Sequence, residues 1–151
     1  MIETLLETAL VAYLKTSPAL ADVPIYRGHT GQKMDTGETS ITVTVTGLTG
    51  PLAYAGYPEA SVQILVRTKN SDGAPHPAGD EKQARYVTAV RGHLGVNSTS
   101  GPGPAALAVI NTQPGLGCTS YCTDGPTAEA RDEEKRIHGL ATPWRFWIHR
   151  R

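Results

Sequence analysis

The stretch that most constrains the fold lies at the end of the chain. Both tryptophans and the only phenylalanine fall within residues 144–147, in a segment where the side chains of successive residues would point to opposite faces of a strand. One face would carry Leu140, Thr142, Trp144, Phe146 and Ile148, and the other Ala141, Arg145, Trp147 and His149. We therefore predict a closing strand whose first face lies in the core. The second face, half basic and half aromatic, is typical of a surface that contacts another protein chain.

Three segments nearer the N-terminus are also clearly periodic. The apolar residues of the first 15 positions recur at helical spacing, so we expect an amphipathic helix that ends at Ser17 and Pro18. Residues 41–47 and 61–68 alternate apolar and polar side chains, as half-buried strands do.

Two stretches of this first half lack periodicity. Residues 27–38 are polar and contain three glycines, which indicates an arm or loop. The connection between the two strands is too long for a tight turn and carries Tyr54 and Tyr57. It is either the tip of an extended hairpin that contacts other chains or a loop folded back over the core.

The second half begins with a linker rich in Gly and Pro at residues 71–80, followed by an apolar stripe at helical spacing. We expect a second helix there, with Asp80 as its N-cap and Gly95 as its C-cap. Residues 97–104 are predicted to be a flexible spacer, and residues 105–112 a third strand.

The last elements are strands. Tyr121 indicates a short fourth strand, and the closing strand is expected to begin near Arg136 with interruptions at Gly139 and Pro143. Because proline has no N–H to donate to a ladder, Pro143 is expected at a sheet edge or a bulge. The order of elements predicts a single α+β domain over residues 1–151, with a mostly antiparallel sheet, two helices on one face and long loops.

Charge and hydropathy exclude several classes of protein. The chain has 14 basic and 14 acidic side chains, so its net field favours neither nucleic acid nor an anionic membrane. The N-terminal residues lack the pattern of a secretory signal, and no stretch approaches the roughly 20 apolar residues of a membrane span. We expect a soluble protein made in a cytoplasm. The basic and aromatic end is too small for a nucleic-acid groove.

Catalytic and metal signatures are weak. Cys118, Cys122 and His138 suggest a zinc site, but a structural zinc site usually repeats its pair of ligands and the second pair is missing. In a reducing compartment the two cysteines are expected to be free thiols. A triad of a serine with His93 and Asp80 or Asp132 has no oxyanion hole, and no phosphate-binding or nucleophile motif is present. The sequence therefore predicts no enzyme, metal or cofactor.

The order of elements and the closing segment resemble a known family. In tail terminator or tail completion proteins of long-tailed bacteriophages, which are minor tail or neck proteins, a Gly-Pro, a charged Arg-Asp turn and a basic residue often precede a long alternating strand. The matching positions here are Gly125, Pro126, Arg131, Asp132, Arg136 and residues 140–148.

The resemblance implies a structural protein of the virion, assembled in the host cytoplasm. It implies a ring of identical subunits, commonly six, at the head-proximal end of the tail tube. Such a ring ends tube polymerisation and joins the tail to the neck, so its partners are itself, the tail tube protein and neck or connector proteins. DNA only passes through it, and no membrane is involved.

Several interface residues and alternatives follow. Trp147, Arg145, Arg131 and Asp132 are candidates for contacts between subunits, although the default interpretation of the charged run at 131–136 is a solvated turn. Tyr54 and Tyr57 are candidates for contacts with the tube or a neighbouring subunit. A head-completion or stopper protein of the neck, a small metal-dependent enzyme and a monomeric adaptor domain remain alternatives.

Overall fold

The computed structural model describes residues 2–28, 38–49, 58–69, 79–132 and 137–151, and of residues 79, 80, 131 and 132 it describes the backbone alone. The elements follow in chain order: α1 (Ile2–Leu14), a 3₁₀ turn (Pro18–Leu20), β1 (Ile25–Arg27), β2 (Thr39–Thr49), β3 (Glu59–Lys69), α2 (Gly79–Leu94), α3 (Gly103–Ile110), β4 (Leu116–Thr123), β5 (Ala128–Asp132) and β6 (Ile137–Arg150).

The described strands form one sheet in the order β1-β2-β3-β6-β4, and β5 also pairs with β6. Every pairing is antiparallel except that of β1 with β2. The predicted α+β fold with a mostly antiparallel sheet is confirmed, and β6 pairs with three of the other strands. The short parallel strand β1 was not predicted.

One face of the sheet and the three helices enclose the core. The buried side chains alternate strictly along β3, and along β6 they alternate from Thr142 to His149, as in a sheet that is covered on one face. Those that face the helices and are almost completely buried are Ala60, Val62, Ile64, Val66, Trp144, Phe146 and Ile148. They form one cluster with apolar residues from α1, α2 and α3. The helices therefore lie on one face as predicted, but the described residues form three α-helices rather than two.

The segment predicted as a spacer and a third strand has a different structure. Asn97 Oδ1 accepts hydrogen bonds from the backbone N–H groups of Thr99 and Ser100 at 3.0 and 2.9 Å, so the predicted spacer is a hydrogen-bonded turn. Residues 105–112, predicted as a strand, contribute instead to α3. A short apolar run fits a buried strand or a buried helix, and here the alanines and the proline in the first turn favour the helix.

The predicted ends of α2 are half correct. Gly95 has a φ of +76° and its N–H donates to Arg91 O at 2.8 Å, which confirms the predicted C-cap. The helix already begins at Gly79, so Asp80 lies within the first turn and the predicted N-cap is wrong.

The closing strand is continuous through both predicted interruptions. Gly139 and Pro143 pair with Arg67 and Gln63 of β3 without any shift of register. Pro143 O accepts a hydrogen bond from Asp124 N, on the side of β6 that faces away from β3. The N and O atoms of one strand residue point to the same side, so the missing N–H of Pro143 faces the gap between β4 and β5. Pro143 therefore removes no hydrogen bond from the β3–β6 ladder, and neither an edge nor a bulge is needed.

The outer edge of β4 is closed by hydrogen bonds. Tyr121 O accepts from Ser98 N at 2.9 Å, and Thr123 N donates to Val96 O at 2.9 Å. Asn111 Oδ1 accepts a hydrogen bond from Cys118 N at 2.7 Å, and Asn111 Nδ2 donates one to Cys118 O at 2.9 Å, as the backbone of a neighbouring strand would. This edge therefore has little capacity to accept another strand.

A bulge in β4 places the two cysteines on opposite faces. Cys118 pairs with Ile148, whereas Cys122 pairs with Arg145, because Thr119 is an extra residue in the register. Cys118 lies in the core and Cys122 is partly exposed, and both are free thiols. Burial raises the pKa of the Cys118 thiol from 9.0 to about 12.

We expect Gly103→Ala to lower the free energy of unfolding by about 1–3 kcal/mol, because overpacking displaces neighbouring backbone. A Cβ at this position would lie 2.0 Å from Asn97 O and 2.8 Å from Ser98 Cα. Gly92→Ala in α2 is the matched control: a Cβ there meets nothing within 4 Å, and the change should stabilise by up to about 1 kcal/mol. Urea unfolding followed by circular dichroism measures both, and a stabilising Gly103→Ala would contradict the packing described.

We expect a thiol-alkylating reagent to modify Cys122 in the native protein and Cys118 only after unfolding. Only the thiolate reacts, and Cys118 is buried and protonated at neutral pH. The pKa of Cys118 is higher in the folded protein than in the unfolded chain, so the unfolded chain loses the thiol proton at a lower pH. The stability that this pKa difference contributes is complete below about pH 9 and falls as pH rises towards about 12. Mass spectrometry of peptides alkylated with and without denaturant tests this, and equal rates for the two native thiols would refute it.

Candidate functional site

The face of the sheet opposite the helices carries two of the predicted interface residues. Arg145 and Trp147 of β6 point to this outer face, and both are partly exposed. Trp144 and Phe146 point to the other face, where each packs against the ring of Tyr121 with centroids 6.2 and 5.0 Å apart. The predicted division of the closing strand into a core face and an outer face is confirmed.

Arg145 forms ion pairs with carboxylates from both sides of β6. Its Nε lies 3.0 Å from Glu59 Oε1 at the start of β3, and its Nη2 lies 2.7 Å from Asp124 Oδ1 just after β4. The hydrogen bond and charge of Asp124, together with the charge of Glu59, raise the pKa of Arg145. The Arg145 side chain is 40% exposed, so solvent screens these pairs and their main effect is on orientation. They fix the guanidinium on the outer face, in the strand that also carries Trp147.

Arg131 and Asp132, predicted to lie in a charged turn, are instead the last residues of strand β5, at the other end of the sheet. The backbone of Arg131 pairs with His138, and that of Asp132 with Ile137. Ile137 and Trp147 are ten residues apart on β6, which corresponds to about 33 Å at ~3.3 Å per residue. The fold therefore does not bring Arg131 and Asp132 close to Trp147 within one subunit. The side chains of Arg131 and Asp132 lie outside the described atoms, and Tyr54 and Tyr57 lie outside the described residues.

The three residues of the zinc hypothesis do not converge. Cys118 and Cys122 lie on opposite faces of the sheet, and His138 is ten residues along β6 from Ile148, the partner of Cys118. That separation is about 33 Å along the strand. Within the described part of the chain, no three His, Cys, Asp or Glu side chains are grouped as metal ligands.

His93 joins α1 and α2 through contacts with Tyr13. Its ring stacks on Tyr13 with centroids 4.1 Å apart, and Nε2 lies 3.0 Å from Tyr13 O. The Tyr13 hydroxyl donates in return to His93 O at 2.6 Å. Asp80 lies at the opposite end of α2, about 20 Å away at ~1.5 Å per residue, so it cannot orient this imidazole.

Sequence reasoning missed several surface residues. Glu59 and Asp124 were not recognised as partners of Arg145, because cross-strand pairs depend on register and not on spacing in sequence. The exposure of Leu48, Val96 and Val109 was also missed. Val96 stands between a helix-ending Gly95 and the Asn97 turn, which was a local signal of exposure.

The comparisons with known proteins concern the fold. No protein-family model matches the chain, and no curated protein matches it. No helix in the described part of the chain is long and apolar enough to cross a membrane. One chain of a solved structure described as the virion of a native gene transfer agent particle is similar, with a TM-score of 0.54 and 14% identity. The similarity covers 97% of this chain and 96% of that chain, so the two share one fold over nearly their whole lengths.

Proposed function

We propose that this protein is a non-enzymatic structural component of a phage-like virion, and within that class a tail terminator. It would form a ring, with six copies as the expected number, at the head-proximal end of the tail tube. The ring would stop tube polymerisation and join the tail to the neck, and DNA would pass through it. Its partners are further copies of itself, the tail tube protein and neck or connector proteins.

The observation that carries the proposal is the fold shared with a chain of the gene transfer agent particle over 97% of this protein. The dispersal of Cys118, Cys122 and His138 removes the geometric basis of the metal-dependent alternative. The choice of the terminator rather than another virion protein rests on the closing segment, which resembles that of tail terminators.

A ring of identical subunits requires two different patches on each subunit that fit each other. Trp147 with the oriented Arg145 is one candidate patch, and Arg131 and Asp132 at the end of β5 are another. Tyr54 and Tyr57 remain candidates for contact with the tube or an adjacent subunit.

The proposal is tested by the mass and shape of the assembled protein. We expect light scattering to show a closed oligomer, or negative-stain images to show rings capping one end of tail tubes mixed with the protein. Binding to isolated connectors but not to tubes would identify a head-completion or stopper protein instead. A strict monomer that binds neither tubes nor connectors would contradict the proposal.

Alanine substitutions of the two tryptophans separate folding from assembly. Trp144 is completely buried, so Trp144→Ala should cost about 3–5 kcal/mol of stability and reduce the folded fraction. Trp147→Ala should leave the circular dichroism spectrum and the unfolding midpoint nearly unchanged but weaken ring formation or tube capping. Normal assembly by folded Trp147→Ala would remove this residue from the interface.

A further inference from the structure

Two long runs of the sequence contain no charged side chain. Residues 39–58 and 94–123 have no Asp, Glu, Lys, Arg or His, so all 14 basic and 14 acidic side chains lie elsewhere. Protein surfaces normally intersperse charges of both signs, because these keep a monomer soluble. A solvent-facing surface built from such runs is therefore suited to being covered by another protein.

The exposed large apolar side chains fall in these two runs. Among the described residues they are Leu48, Val96 and Val109, which are 37%, 66% and 38% exposed. Leu48 lies on β2, beyond a bulge and beyond the three residues that β1 covers. Val96 follows α2, and Val109 lies on α3, whose other exposed residues are also uncharged: Pro104, Ala105 and Ala108.

Leu48 and Val96 lie at opposite ends of one row across the sheet. Leu48 pairs with Ala60, Ala60 with Phe146, and Phe146 with Tyr121. Residues 96–98 lie beside Tyr121 on the outer edge of β4, where Ser98 N donates a hydrogen bond to Tyr121 O. Four steps of ~4.8 Å place the two ends about 19 Å apart at the same level along the strands.

The two ends also lie on the same side of the sheet. Directly paired residues share a face, and Ala60 belongs to the face that the helices cover. Leu48 is therefore directed to the helix side but remains exposed. At the other end of the row α3 packs on β4, on the face of the sheet that the helices cover. The uncharged exposed residues of α3 are therefore also on the helix side.

From this arrangement we infer that copies of the chain meet head to tail through these patches: Leu48 of one copy packs against Val96 and the outer face of α3 of the next. The inference rests on the proposed ring and names a lateral contact on the helix side of the sheet, in addition to the candidates on the outer face. Leu48, Val96 and the exposed residues of α3 are all uncharged, so the side chains that would meet carry no charge to desolvate. Because both ends of the row lie at the same level along the strands, a rotation about an axis parallel to the strands, with no translation along that axis, can bring Leu48 of one copy to Val96 of the next. Repeated contacts of this type can close into a ring.

The closed edge of β4 determines the nature of the contact. Because Val96, Ser98 and Asn111 already occupy the hydrogen-bonding groups of β4, a neighbour cannot extend the sheet there. The contact is made by apolar side chains. A two-fold contact of Leu48 with Leu48 would leave Val96 and Val109 uncovered, which disfavours it.

The test introduces a carboxylate into each patch. Leu48→Glu and Val96→Glu are expected to fold normally, since both side chains are exposed, and each should weaken self-association at least about 100-fold, because an unpaired charge would be buried. Thr88→Glu, on the exposed side of α2, is the matched control and should assemble like the wild type. Sedimentation velocity and native mass spectrometry give the species, with and without tail tubes.

A mixture of the two variants tests the head-to-tail geometry. The intact Val96 patch of the Leu48→Glu chain can bind the intact Leu48 patch of the Val96→Glu chain, which leaves two acidic ends that repel each other. We expect heterodimers and no larger species. If the variants assemble as the wild type does, the inference is wrong and the ring stands. If wild-type copies associate through these patches but neither close nor bind tubes, the inference holds and the proposed function fails. A wild type that is monomeric under both conditions overturns both.

Discussion

The rest of the structure depends on β6, which is hydrogen-bonded along both of its sides. β3 pairs with residues 137–147 of this strand, while β5 and β4 divide its other side between them. The same strand inserts Trp144, Phe146 and Ile148 into the core, where all three are completely buried. Arg151 then donates to Asn111 O at 2.5 Å and so joins the strand to the end of α3. One segment thus pairs with three strands of the sheet, supplies the largest fully buried side chain, Trp144, and caps a helix.

The two lateral sides of the domain are built differently. On the β4 side, a turn and the amide of Asn111 occupy the backbone groups of the edge strand. On the β2 side, β1 covers three residues and the Glu7 carboxylate accepts a hydrogen bond from Val45 N at 2.9 Å, after which the strand continues exposed. This asymmetry gives the subunit two distinct ends, which is the requirement for assembly in which one end of a copy binds the other end of its neighbour.

The sequence predicted the elements with strong periodicity and failed where tertiary contacts decide. The alternation of residues 140–148 predicted both the strand and its two faces, because a period of two has one interpretation. The run at 105–112 fits a strand or a helix equally, and what places it beside the Asn97 turn is the close approach allowed by Gly103. Pro143 was predicted at an edge or a bulge because the sequence does not reveal that β4 and β5 leave a gap opposite it. For the candidate site, the outward direction of Arg145 and Trp147 was predictable, but the pairing of Arg145 with Glu59 and Asp124 depends on the register of three strands.

The position of β6 in chain order has a consequence for how the protein folds. All three strands that pair with it precede it in sequence, and β2 with β3 can form a hairpin without it. The strands β4 and β5 have only β6 as a strand partner in the described sheet, so they gain most of their ladder when it arrives. Contacts between residues 59–69 and 137–147 close a long loop of chain, a step that is slow in proteins with many non-local pairings. Until β6 forms, the hairpin of β2 and β3 therefore has unpaired hydrogen-bonding groups along β3, and its strand β2 is uncharged and rich in β-branched residues. During this interval the chain is most prone to aggregation.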